Sequence, residues 1–153
     1  MNEDYAELIT SFPLFQGFTA YGATRLLAAG EINEHERGTA LMNEGDDADF
    51  VVLVLRGTLE VFVERGGRHV VLMEAGPGTL LGELAMLCGI SRSASVRASD
   101  HSSVLRWSDE AFRTMLLRDH SLSQRIFGQA LRTLVDKERS LIDSLIKAQR
   151  SGS

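Results

Sequence analysis

Apolar and polar positions change period twice along this chain. Before about residue 31 and after Trp107 the spacing is helical; between them it is short and alternating. Asp4–Thr10 reads as a short helix, and Ala20–Ala29 as a second, capped by Thr19 and stopped by Gly30. Phe12-Pro13-Leu14-Phe15 between them is an apolar turn, since proline breaks both helices and ladders. Phe50–Leu55 is the longest wholly apolar run and reads as a buried strand, followed by Leu59–Glu64 with residues 59, 61 and 63 on one face. Arg65-Gly66-Gly67-Arg68 is a hairpin turn, because paired glycines supply the positive φ angles of tight hairpins, and His69–Glu74 returns as the partner strand. Gly76-Pro77-Gly78 turns again, and Ser93–Ala98 and Ser102–Trp107 are the last two strands. This pattern predicts a mainly β fold with flanking α: an antiparallel β jelly-roll barrel, with N-terminal helices and two C-terminal helices.

After Trp107, Ser108 with Asp109 and Glu110 opens one helix with acid in its first turn. Ser121-Leu122-Ser123-Gln124 is a capping box for a longer one, reaching about Gln149, about 40 Å in all. Phe127, Leu131, Leu134, Leu141, Leu145 and Ala148 recur by fours and threes, as a coiled-coil seam does, with Glu138 interrupting; Ile126, Val135, Ile142 and Ile146 widen the stripe. Such a helix overshoots a small barrel, so the stripe predicts a homodimer contact through 122–149; packing on the barrel is the alternative. The expected layout is one domain over 1–150, with helices in 1–30, the barrel in 31–107, helices in 108–150 and a Ser-Gly-Ser tail at 151–153.

Composition narrows the classes. At 153 residues and 44% apolar, the chain can bury a core without disulfide staples. Its single cysteine, Cys88, fits a reducing compartment and reads as a small buried hydrophobe. The acidic start lacks the features of a signal peptide, and no apolar run can span a bilayer, so a cytoplasmic protein without a membrane span is expected. A net charge of −5 argues against a nucleic-acid surface covering the whole chain, Arg97 and Arg106 read as solvent-facing strand residues, and no nucleic-acid binding by the chain itself is expected. Glu44, Asp46, Asp47 and Asp49 lack the order of a calcium loop and read as a solvated turn. His35, His69, His101 and His120 show no metal spacing, and no nucleophile elbow is present, so neither a metal, a cofactor nor an enzyme is expected.

Residues 81–96 are where chemistry concentrates. Gly82 lets a ligand or another backbone approach closely. Glu83–Cys88 suits a short helical turn closed by Gly89, and the free N–H groups at its start, those of Leu84 and Ala85, would meet an anion. Arg92, nine positions after Glu83, is a planar, permanent, bidentate cation suited to phosphate. If the following strand is extended, Arg92 shares the interior-looking face with Ala94, Val96 and Ala98, where an unpaired charge would be costly. Glu83 could pair with it, or accept a hydrogen bond from a ligand hydroxyl such as a ribose 2′-OH. The constellation asks for one phosphate with a hydroxyl nearby.

Leu-Gly-Glu-Leu-Ala-Met-Leu followed by Arg-Ser-Ala-Ser-Val-Arg-Ala resembles the phosphate-binding cassette of cyclic nucleotide-binding domains. These occur in protein kinase regulatory subunits, nucleotide-gated channels and catabolite-activator-type regulators. The resemblance runs from Phe12 through Asn43-Glu44-Gly45-Asp46 and Arg56-Gly57 to the final helices. It implies that Glu83 binds the ribose 2′-OH, and that Arg92 binds the cyclic phosphate with the amides of Leu84, Ala85 and Ala94. The spacing of nine is similar to the kinase and channel type. Ser91 stands where proline is usual, and Leu81 where phenylalanine walls the base. Ser93 fits phosphate or a guanine base, so cAMP is the expected ligand with cGMP as the alternative; Thr133, Lys137 and Ser140 are candidates to cap the base. The resemblance implies a non-enzymatic sensor that signals through its C-terminal helices to an effector protein or a twin subunit. The alternatives are the sensory part of a longer regulator or channel, and an interaction module of the same fold without ligand.

Overall fold

A computed structural model describes residues 2–152. They divide into two compact units, one up to Arg118 and one from Asp119 onward. The first begins with α1 (Asn2–Ser11), a 3-10 turn at Pro13–Phe15 and α2 (Ala20–Ala28). The hydroxyl of Thr19 accepts the Gly22 N–H at 3.1 Å, the cap expected from its position. Strands β1 (Glu31–His35), β2 (Ala40–Met42), β3 (Phe50–Arg56), β4 (Leu59–Arg65), β5 (Arg68–Ala75) and β6 (Leu80–Leu81) lead to α3 (Glu83–Cys88). Strands β7 (Ser95–Ala98) and β8 (Ser102–Ser108) and helix α4 (Asp109–Arg118) complete the unit.

The strands form two four-stranded antiparallel sheets, ordered β1-β8-β3-β6 and β2-β7-β4-β5. Among the described residues no ladder joins them, so the closed barrel expected from the turn spacing is instead a pair of sheets over one core. Alternation explains that core. Val52, Val54 and Val104 from one sheet meet Met42, Leu59, Val96 and Ala98 from the other. The opposite face of β3, with Val51, Leu53 and Leu55, is buried too, because α1, α3 and α4 pack on that strand. Trp107 is buried on the helical side, where its indole N–H donates to the Leu26 carbonyl at 3.0 Å. That bond satisfies the one polar atom of the largest buried ring.

Gly66 and Gly67 have φ of 57° and 75°, as the tight β4–β5 hairpin requires. Strand β7 begins at Ser95 rather than Ser93. The Arg92 N–H donates to the Asp46 carbonyl, and the Arg92 carbonyl accepts the Gly45 N–H, both at 2.9 Å. Those bonds tie the chain to the acidic turn before it can enter a ladder.

The second unit is α5 (His120–Ser151). Its N-cap is Asp119, whose carboxylate accepts the Leu122 N–H at 3.0 Å. The helix therefore starts ahead of the Ser121 box, since an aspartate two residues earlier already meets a free amide. Leu131, Leu134, Val135, Leu141, Ile142, Leu145 and Ile146 of the expected stripe are exposed. Ser151 lies within this helix, and Ser153 falls outside the described residues. Among the described residues no helix is long and apolar enough to cross a membrane.

Candidate functional site

The site is built on the link between β6 and β7. Gly82 sits at φ 90° and caps α3 from the left-handed region. A Cβ there would stand 2.4 Å from a terminal guanidinium nitrogen of Arg92 and 3.0 Å from the Met42 methyl. The close approach anticipated at Gly82 is thus made by the chain's own arginine, and any side chain would collide with it as well as strain the backbone. Gly89 closes α3 at φ 67°.

The Met86 N–H donates to the Gly82 carbonyl at 3.4 Å. The N–H groups of Leu84 and Ala85 precede it and lack such a bond among the described residues. They are oriented donors at the positive end of a turn, as a short helix leaves them. Leu81 is half-buried against the shared core. Glu83 and Ala94 are half-buried, and Ser93 is exposed. The structure therefore gathers Leu81, Gly82, Glu83, Leu84, Ala85 and Arg92 around one turn, with Ser93 and Ala94 on the segment leaving it.

Arg92 is only 4% exposed. Its two terminal nitrogens donate to the Gly82 carbonyl at 2.9 Å and the Phe50 carbonyl at 2.6 Å, and its guanidinium carbon lies 4.8 Å from the Phe50 ring centroid. Burial pulls its pKa down, and the fields of Asp49, Asp46 and Glu83 pull it back up. A guanidinium stays charged under these opposing effects, so the site holds a fixed cation in a mostly apolar frame.

Sequence reasoning missed the frame. Asp46 and Asp49 look like a solvated turn, yet their fields support the buried arginine, and the Asp46 carbonyl holds its backbone. Phe50, read only as the start of a core strand, offers Arg92 both a carbonyl and a ring face. Ser95 accepts the Glu44 N–H at 2.9 Å, and Arg65 grips the Glu44 carboxylate with two bonds of 3.0 and 2.8 Å. The only signal for these was the position of the acidic turn just before an apolar strand. Two further readings are corrected. Cys88 is exposed, because α3 buries Ala85 and Met86 instead. Arg106 is half-buried and lies 4.3 Å from the Phe50 centroid, on the face shared with the core rather than facing solvent. Thr133, Lys137 and Ser140 lie on α5 and are exposed; the Thr133 hydroxyl donates to the Gln129 carbonyl of its own helix at 3.0 Å. Among the described residues no group of His, Cys, Asp and Glu could hold a metal ion.

Two antiparallel sheets carry a short helix whose first amides face a buried arginine, an arrangement chemically suited to an anion. The chain belongs to the cyclic nucleotide-binding domain family, whose sequence model matches residues 32–119. It is 29% identical over 113 residues to the Drosophila melanogaster cAMP-dependent protein kinase type II regulatory subunit, covering 73% of this chain and 30% of that protein. The catabolite activator protein of Thermus thermophilus superposes with a TM-score of 0.78 at 25% identity, over 84% of this chain and 61% of that one. The regulatory domain of Toxoplasma gondii protein kinase A, solved with cAMP, superposes with a TM-score of 0.64 at 25% identity, over 74% and 43%. The relatives are mainly regulatory proteins, with a cAMP-binding acyltransferase of Mycobacterium smegmatis also among them. The chain spans 22–34% of the length of the first curated relatives it matches.

Proposed function

We propose that this chain is a cyclic nucleotide receptor without enzymatic activity, acting in the cytoplasm and needing no cofactor besides its ligand. The observation that carries the reading is the buried, charged Arg92 beside the unengaged amides of Leu84 and Ala85. In this reading those three groups bind the cyclic phosphate, with the Ala94 amide assisting, and Glu83 accepts the ribose 2′-OH. The exposed Ser93 leaves adenine and guanine both acceptable, and the jelly-roll connectivity of the family is the frame around them. Relatives named for cAMP, including the Toxoplasma domain solved with it, support the ligand class.

Binding would draw the cassette inward and shift the equilibrium of the helices after Trp107, which then act on an effector protein or a twin subunit. The exposed apolar stripe on α5 supports a homodimer contact through 122–149. Isothermal titration with cAMP and with cGMP tests the receptor. Heat with either, at one site per chain, is expected; none with both would overturn it in favour of an interaction module of the same fold. Light scattering with and without nucleotide tests the homodimer, and a monomer in both states would overturn that part. A second reading, the sensory part of a longer regulator or channel, is favoured by the chain's small share of its relatives' length; the surrounding reading frame decides it.

A further inference from the structure

A second guanidinium stands on the ring that backs Arg92. Arg106 lies opposite Val52 in the β8–β3 ladder, and Val52 lies opposite Leu81 in the next, so all three share one face of the sheet. Val52 and Leu81 belong to the shared core. The Arg106 guanidinium carbon is 4.3 Å from the Phe50 centroid, and that of Arg92 is 4.8 Å from the same point. Their surroundings differ sharply. Arg92 donates to the carbonyls of Gly82 and Phe50 and sits in the fields of three carboxylates. Arg106 is half-buried, and among the described residues its guanidinium makes no hydrogen bond or ion pair; the ring is its contact.

We propose that Arg106 is a positioning residue for Arg92, acting through the Phe50 ring. The inference rests on the reading of Arg92 as the phosphate contact. Phe50 serves Arg92 twice, with its ring face and with its carbonyl. It is the first residue of β3, where the ladder starts with the pair Phe50–Ser108, and its side chain is only partly buried. A ring at a strand's open end keeps rotamer freedom unless something closes its free side. Arg106 closes it: a planar guanidinium is drawn to an aromatic face, and being unengaged elsewhere it has no competing partner. Holding the ring still fixes the face it presents to Arg92. The two cations also repel each other, which keeps Arg106 off the acceptors of Arg92, and an anion seated on Arg92 relieves that repulsion. Arg106 thereby raises affinity for an anionic ligand without touching it.

The test uses Arg106→Met, which keeps an unbranched apolar stem and removes the cation, and Arg106→Lys, which keeps the charge. Arg106→Met is expected to weaken nucleotide binding about five- to tenfold while moving the melting temperature by less than about 2 °C. Arg106→Lys recovers part of that loss. In a Phe50→Leu background, Arg106→Met weakens binding no further, because the ring it acts through is gone. In the ligand-free protein, the Nε–H resonance of Arg92 shifts or broadens in Arg106→Met and returns toward the wild-type position in Arg106→Lys. Binding and resonance both unchanged in Arg106→Met would overturn the proposal, as would a loss that persists in the Phe50→Leu background. If wild type binds neither nucleotide, the receptor reading falls, and the Arg92 resonance still decides this one.

Discussion

Arg92 and Arg97 lie five residues apart and occupy opposite environments. Arg92 is buried, bonded to two backbone carbonyls and backed by a ring. Arg97 is on the outer face of its sheet, with 41% of its side chain exposed, paired to Glu60 at 3.0 Å and 5.0 Å from the Phe62 centroid. Around Arg97 the groups are redundant. His69 bonds Glu60 and Glu64, lies 3.1 Å from Arg97 and has its ring 4.3 Å from that of Phe62. The outer cluster neutralises itself with side chains that water could replace. The inner arginine uses backbone carbonyls, which direct it without cancelling its charge. On the proposed reading, a cation prepared for an outside anion differs from one that decorates a surface by its burial among neutral acceptors.

The sharpest way to break this contrast is to remove each arginine. Arg92→Ala should weaken nucleotide binding by about a hundredfold or more, since truncating a buried charged contact has effects of that order. It removes the Arg92 donor from the Phe50 carbonyl and leaves the Gly82 carbonyl only its longer bond from the Met86 N–H, so stability should fall by about 1–3 kcal/mol while the circular dichroism spectrum is kept. Arg97→Ala should change binding less than about twofold, as exposed pairs contribute little. Equal effects of the two variants would sink the comparison.

Gly82→Ala comes next. With φ at 90° and a guanidinium nitrogen 2.4 Å from the new Cβ, it should destabilise by about 1–3 kcal/mol and push Arg92 off its seat. Binding about tenfold weaker, read by titration, follows from a displaced cation. Ser95→Ala frees the acidic turn by removing the acceptor for the Glu44 N–H. A loss of about 0.5–1.5 kcal/mol in chemical denaturation is expected, with binding reduced less than by Gly82→Ala.

The smallest effect belongs to the outer cluster. Glu60, and after it Glu64, hold the His69 pKa above its ordinary value, opposed by partial burial and by Arg97. The folded state therefore favours the imidazolium. Its stabilisation is fully present below about pH 6.5, the unfolded value, and is lost as pH rises through the higher folded value. Glu60 runs the other way: His69 and then Arg97 hold its pKa down, so its contribution is present above the ordinary carboxylate range and lost as pH falls. His69→Gln should flatten a small decline in melting temperature as pH rises above about 6.5, with cyclic nucleotide affinity unchanged. A wild-type curve already flat over that range would remove the cluster from the account.

Much of this was legible from residue order. The helix–strand–helix division, the Thr19 cap, the glycine hairpin and the limits of α3 follow from local chemistry that needs no distant partner. The grouping of Gly82, Glu83, Leu84, Ala85 and Arg92 was legible because a tight turn and a short helix keep them close along the chain. The start of β7, the cap of α5 and the surroundings of Arg92 were not. Ser93–Ala98 alternates well enough for a strand, yet Arg92 just before it is held by Gly45 and Asp46, far back in the chain, and the strand starts only at Ser95. The Ser121 box was outbid by Asp119, whose carboxylate reaches the Leu122 amide first. Arg106 alternates like a surface residue, and only the pairing of β8 with β3 reveals which way that face looks.

The sequence by itself determined the class of elements, the family and the presence of one arginine suited to a phosphate, because period, turn chemistry and motif spacing are local properties. Tertiary structure decided everything about how that arginine is held. It brought Phe50, Asp46, Asp49 and Arg106 around Arg92, and it separated the strands into two sheets over one core. Those contacts join residues 42–46 positions before Arg92 and 14 after it, where no local periodicity reaches and only ladder register sets which side chains meet.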